Sequence, residues 1–241
     1  MTMTKTMTDA AVFETLRRVP LFSDIPLVEL QEVAKRSQGI LKKSTARVFE
    51  EGSPADSCFV LTSGRAKVVL SGRADSEVIL GIVEPLALIG ELALLDNSTR
   101  SAGLVAVDDC HFIRITQASF RGLRNNSAFE AKLVAQVATT LRRANDQIRA
   151  IYTFDSKERV VWCLARLASQ RGRRLGGEIV ISPKPLHQEL AEMTGCSRET
   201  VSRVLSRLRR LKWVNWDVDA LRLQANAFSR YLLDVTMAVD I

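Results

Sequence analysis

The chain has 241 residues, 46 % of them apolar, which is material for the cores of one large or two modest domains. Its formal net charge of +7 favours a polyanionic partner. No apolar run approaches the roughly 18 residues of a membrane span, which excludes a transmembrane helix from this sequence.

Residues 1–8 alternate methionine and threonine around one lysine. They lack the apolar centre of a signal peptide and are read as the disordered tail of a cytoplasmic protein. Residues 13–18 are expected to form a short helix, followed by Val19-Pro20-Leu21-Phe22 and a second helix over 26–36. From Gly39 to Thr116 the pattern changes to short β-branched runs at 48–49, 58–61, 66–70, 78–83, 104–107 and 111–115. Such runs, broken by turn residues that include Gly52, Gly64 and Gly72, suggest an antiparallel barrel or roll.

After Phe129, the residues Val134, Val137, Leu141, Ala144, Ile148 and Ile151 recur at 3-4 spacing. That narrow stripe is a coiled-coil seam rather than the wider face of a helix packed on a core, and it is read as a homodimer interface. Residues 152–156 are read as a hinge. A helix over 157–170 follows, with Val160, Val161, Leu164 and Leu167 on one face. The basic stretch 171–177 is expected to be a turn, either near phosphate or simply solvated. A short strand over 178–182 is ended by Pro183 and Pro185.

Leu186, Leu190 and Met193 mark an amphipathic helix over 187–193. Thr194-Gly195-Cys196 is a tight turn, for which Gly195 supplies the freedom in φ. Ser197 is a good N-cap for the next helix, whose apolar face is Val201, Val204, Leu205, Leu208 and Leu211. Its opposite face carries Arg198, Glu199, Ser202, Arg203 and Ser206. Helix, glycine turn, and a second helix with arginines at its start read as a helix-turn-helix presented to double-stranded DNA. Arginine can donate two bonds to guanine, and a carboxylate can accept from the cytosine amine. The plainer alternative is a solvated face with a Glu199–Arg203 ion pair. Between Ser156 and Lys212 basic residues outnumber acidic ones by more than two to one. Trp213 to Trp216 and Leu221 to Leu223 then form a hairpin, the wing of a winged helix, with Trp213 in the core. Residues 225–241 are expected to form a terminal helix.

Cys196-Ser197-Arg198-Glu199-Thr200-Val201-Ser202-Arg203 resembles the recognition helix of the cyclic-AMP receptor protein (CRP/FNR) family of bacterial regulators. The resemblance puts Arg198, Glu199 and Arg203 on base-reading positions and implies a T-G-T-G-A half-site. It makes Gln188 a phosphate contact, with Ser197, Thr200 and Ser202 joining the DNA-facing set. His187 takes a DNA-facing place where an arginine is usual. The run from Gly90-Glu91-Leu92 to Arg100-Ser101-Ala102 resembles the phosphate-binding cassette of cyclic-nucleotide-binding domains. On that resemblance Arg100 is the phosphate fork, Ser101 the hydroxyl and Glu91 the acceptor for a ribose hydroxyl. Gly90, Leu92 and Ala102 complete the cassette, with Gly90 letting the backbone approach closely. Ala144 and Asn145 stand where two hydroxyl residues usually meet adenine; Asn145 can read a base edge. The loop to Arg100 is one residue short, and Leu86-Ala87 replace a Gly-Asp turn.

The expected class is α+β, in three parts: an effector-binding β-roll with its tail over 1–127, a dimerisation helix over 128–153, and a winged helix-turn-helix over 154–241. Its effector is read as a cyclic nucleotide, cyclic AMP first, then cyclic GMP or cyclic di-GMP; a regulator without an effector stays open. RNA polymerase is a further partner that the resemblance implies. Cys58, Cys110, Cys163 and Cys196 lie far apart, without metal or iron–sulfur spacing, and are read as small buried hydrophobes. The two histidines, His111 and His187, are too few for a barrel oxygenase, so an enzyme ranks last.

Overall fold

A computed structural model describes residues 7–72 and 76–229. The chain divides into two compact units, Met1–Ala138 and Thr139–Ile241.

In the first unit two helices precede a β-roll. Helix α1 (Asp9–Leu16) starts and ends earlier than expected, because the Thr8 hydroxyl accepts the Ala11 amide and caps it. Helix α2 (Leu27–Lys35) follows a 3₁₀ turn at Pro20–Phe22. The roll is two four-stranded antiparallel sheets. One has the order β1 (Gln38–Lys42), β8 (Cys110–Thr116), β3 (Ser57–Ser63), β6 (Leu88–Ile89). The other runs β2 (Arg47–Phe49), β7 (Gly103–Ala106), β4 (Ala66–Ser71), β5 (Glu77–Val83).

Strand β3 shows why the apolar run at 58–61 does not alternate with polar residues. Phe59 and Leu61 fill the roll interior beside Phe112. Cys58 and Val60 face the other way, into a second core with Leu16, Phe22 and Phe129. A strand covered on both faces reads as a continuous apolar run. Helix α3 (Leu92–Leu95) sits in the cassette. Helix α4 (Gln117–Leu123) is capped by Thr116, whose hydroxyl accepts the Ser119 amide at 3.2 Å.

Helix α5 (Ser127–Thr153) is 27 residues long. Phe129 and Leu133 are buried, with Phe129 stacked on Phe22. The seam is not covered: Val134, Leu141, Ile148 and Ile151 are each 53–61 % exposed.

In the second unit Asp155 opens α6 (Ser156–Arg171) with a reciprocal cap. Its carboxylate accepts the Lys157 and Glu158 amides, and Glu158 accepts the Asp155 amide. The expected hinge is therefore a short capped break between helices. Beyond it, the basic stretch expected as a turn is partly strand. β9 (Arg173–Leu175) pairs with β10 (Glu178–Ile181), because Gly176 takes φ +60° and closes a hairpin. The sheet order is β11 (Val214–Trp216), β12 (Leu221–Gln224), β10, β9. Helices α7 (His187–Thr194) and α8 (Arg198–Arg210) complete the unit. Ala225 to Phe228 form a turn in place of the expected helix start, and residues 230–241 lie outside the described residues. No described helix is long and apolar enough to cross a membrane.

Candidate functional site

The helix-turn-helix is set by three local devices. Gly195 ends α7 in the left-handed region at φ +63°, and its amide bonds the Ala191 carbonyl. A side chain there would be strained. The Ser197 hydroxyl accepts the Thr200 amide at 3.2 Å and starts α8. The Leu186 amide donates to the Glu189 carboxylate at 2.8 Å and starts α7.

Val201, Val204, Leu205 and Leu208 hold α8 against its unit. Leu211, expected on that face, lies past the helix end and is exposed. Arg198, Glu199 and Arg203 all point to solvent, with Ser202 and Thr200 half-buried beside them. Arg203 donates to the Thr200 hydroxyl at 3.2 Å rather than forming the i,i+4 pair with Glu199. The Glu199 amide and the Ser197 hydroxyl hold the Glu199 carboxyl below its usual range, so it is an ionised acceptor. Gln188 is exposed and donates to Glu192 at 2.9 Å. His187 is half-buried; burial, then the charges of Arg198 and Lys184, push its imidazole down. It is therefore neutral at pH 7.

The wing holds a feature the sequence reading passed over. Its tip is Asp217-Val218-Asp219, all exposed, and Asp217 accepts the amides of Asp219 and Ala220. Lys184 is fastened to this tip through both its amide and its ammonium group. The ion pair to the Asp217 carboxylate comes from Arg222 of β12, at 3.4 Å. Trp213, expected in the core, is only half-buried and meets Phe228 edge to face.

In the first unit the cassette comes together around Arg100, which is only 4 % exposed. The turn at Gly52 and Ser53 pairs with the Arg100 backbone through two hydrogen bonds of 2.8 and 2.9 Å. Its guanidinium donates to the Gly90 carbonyl and to the Ser57 carbonyl, each at 2.6 Å, and lies 4.3 Å over the Phe49 ring. Gly90 is at φ +81°, and a Cβ there would come within 2.6 Å of the guanidinium, so the close approach requires glycine. Arg100 Nε is buried without a partner.

Glu91 is buried, and burial pushes its carboxyl up. Its side-chain donor is not Arg100. Gln136 of α5 donates to Glu91 Oε1 at 3.3 Å and to the Leu88 carbonyl at 3.4 Å. Gln136 carried no signal in the sequence, since a polar residue between seam positions reads as solvated. Ala102 is buried, Leu92 half-buried and Ser101 exposed. Asn145 is exposed on α5 beside Ala144.

A cavity of about 300 Å³ opens into the roll, lined by Ile40, Phe49, Phe59, Ser57, Arg100 and Arg114 among others. Of the expected cassette, only Arg100 lines it. Arg114 is held by Asp56 at 2.6 Å and by the Ser57 hydroxyl.

Cys58, Cys110 and Cys163 are buried, as read from the sequence, and Cys196 is half-buried in the turn before α8. Burial pushes the Cys163 thiol up to about 11, which removes it from thiolate chemistry.

Residues 43–127 match the cyclic nucleotide-binding domain family, and residues 158–224 match the Crp-like helix-turn-helix domain family. The cyclic AMP receptor protein of Thermus thermophilus is 30 % identical over 190 residues, 78 % of this chain and 85 % of that protein. The CRP-like cAMP-activated global transcriptional regulator of Mycobacterium tuberculosis is 25 % identical over 202 residues, 83 % and 90 % of the two chains. Among solved structures, the c-di-GMP responsive regulator CLP of Xanthomonas campestris superposes with a TM-score of 0.66 at 22 % identity, covering 82 % of this chain and 99 % of that one. With a cyclic nucleotide-binding domain ahead of an exposed arginine-bearing helix, the chain belongs to the CRP/FNR family of DNA-binding transcription regulators.

Proposed function

We propose that the protein is a homodimer that binds a near-palindromic operator with T-G-T-G-A-like half-sites under the control of a cyclic nucleotide, cyclic AMP first. In this reading 1–127 is the effector unit, 128–153 the pairing helix and 154–241 the DNA unit. RNA polymerase is the further partner that it implies. The observation that carries it is α8, with Arg198, Glu199 and Arg203 solvent-facing on a helix whose other side is buried. The uncovered seam of α5 supports pairing, because a contiguous apolar stripe left in water marks an interaction surface. Two such helices would place two copies of α8 in successive major grooves, roughly 34 Å apart.

Arg203→Ala is expected to weaken operator binding by on the order of 10- to 100-fold and binding to random DNA far less. Fluorescence anisotropy on both DNAs at one salt concentration checks it. Equal losses on the two would make Arg203 a phosphate contact.

A second reading, control by cyclic di-GMP or by no effector, is favoured by one observation. Both terminal nitrogens of Arg100 are already bonded to protein carbonyls. Thermal-shift titration separates the readings. Cyclic AMP at 100 times its Kd is expected to stabilise by about 2.7 kcal/mol, with cyclic GMP and cyclic di-GMP doing less. A shift with cyclic di-GMP alone, or with none of the three, replaces the first reading by the second.

A further inference from the structure

We propose that Gln136 is the positioning residue that passes occupancy of the cassette to the pairing helix. The proposal rests on the reading of the cassette as the effector site.

Gln136 lies on α5 between the seam residues Val134 and Val137. Its amide nitrogen reaches the cassette twice, at the Glu91 carboxylate and at the carbonyl of Leu88 in β6. Glu91 and Arg100 form no ion pair within 4.0 Å among the described residues, so the acid at the start of the cassette is tied to the helix rather than to the arginine at its end. This tie is independent of Asn145, the residue that the sequence assigns to base contact.

The physical consequence follows from burial. A carboxyl nine-tenths out of water is costly to ionise, and each donor directed at it lowers that cost. A ribose hydroxyl donating to Glu91 adds such a donor and favours the ionised form. Hydrogen bonds to an ionised acceptor are roughly twice as strong as neutral ones. Filling the pocket therefore tightens the bond from Gln136 and fixes the turn of α5 that starts the seam. The signal passes from ribose to carboxylate to amide to helix, with the Gln136 amide bridging cassette and α5. Glu91 also faces Cys58 and Arg100; Cys58 is a buried thiol without charge, and Arg100 is spent on carbonyls.

The test uses the full chain and measures two quantities: cyclic AMP affinity by calorimetry, and operator affinity with and without saturating cyclic AMP. Coupling between two sites is commonly worth 5- to 150-fold. Gln136→Leu keeps the size and loses the donors. It is expected to leave nucleotide-free DNA affinity within about 3-fold of the wild type, while the nucleotide-induced gain in operator affinity falls at least 5-fold and cyclic AMP affinity falls by no more than that same factor. Gln136→Asn, which keeps the amide on a shorter arm, is expected to recover part of that gain. Coupling unchanged in Gln136→Leu overturns the proposal. So does a parallel loss of cyclic AMP affinity, melting temperature and coupling, which is the mark of a merely structural residue. Wild-type protein that binds cyclic AMP without any change in DNA affinity overturns it as well. Wild-type protein that binds no cyclic AMP fails the effector reading itself and takes the proposal with it.

Discussion

Arg100→Leu is expected to destabilise the first unit by about 3 kcal/mol, and Arg100→Lys by less, while both abolish any nucleotide response. The guanidinium is almost wholly buried and donates to the carbonyls of Gly90 and Ser57, the latter 43 residues before Arg100 in sequence. Leucine leaves both acceptors in the protein interior without a donor, at about 1–3 kcal/mol each. It also removes the cation from the face of Phe49, 4.3 Å away. Lysine keeps the charge but not the fork, so it can serve one carbonyl and not the other. A thermal melt should show the leucine variant lower by roughly 10 °C, at about 2–4 °C per kcal/mol for a chain of this size. Calorimetry should show no nucleotide binding in either variant. A leucine variant as stable as the wild type would mean that Arg100 is held for its ligand alone. Wild-type nucleotide affinity in the lysine variant would remove Arg100 from the pocket.

Arg166→Met is expected to raise stability, by roughly 1–4 kcal/mol. Arg166 lies on α6, is 5 % exposed and rests 4.9 Å from the Trp162 ring. Its Nε is buried without a partner, and the side chain forms no hydrogen bond or ion pair among the described residues. Burial holds its guanidinium below the usual range, and the charges that reach it from α5 are Arg143, which opposes it, and Asp146, which favours it. A buried cation with one aromatic face for company is poorly compensated. Methionine has similar reach, packs well against an indole and needs no donor satisfied. Denaturant unfolding of the two proteins decides the matter. A less stable methionine variant would show that the guanidinium finds an acid in the assembled protein.

Much of the fold could be read from local signals. The runs at 58–61, 66–70, 78–83 and 111–115 are strands because β-branched and aromatic residues cluster there between turn residues. Ser197 and Gly195 announced the helix-turn-helix because caps and left-handed turns are local choices. What escaped was short or decided at long range. β1 carries Gly39 and only two apolar residues, Ile40 and Leu41, and β6 is two residues long. α4 spans only two turns. The Thr8 cap was hidden in a polar tail, which moved α1 by several residues. Strand β9 is wholly exposed and carries two arginines, so nothing in its composition separates it from a loop. In the site, Gly90, Glu91 and Arg100 do converge, but the direction of the fork is set by a carbonyl on β3. The partner of Glu91 comes from a helix 45 residues away. Neither is a property of any window of sequence.

The bare stripe on α5 has a weak point at its centre. Its six positions are Val134, Val137, Leu141, Ala144, Ile148 and Ile151, and none carries a polar group to lock one alignment against another. At Ala144 a single methyl stands where the neighbours bring branched chains. In the proposed pair of such rods, Val134 to Leu141 would grip on one side of that gap and Ile148 with Ile151 on the other. The two grips would then tighten or loosen separately, and the far ends of the proposed dimer would change their spacing without global melting.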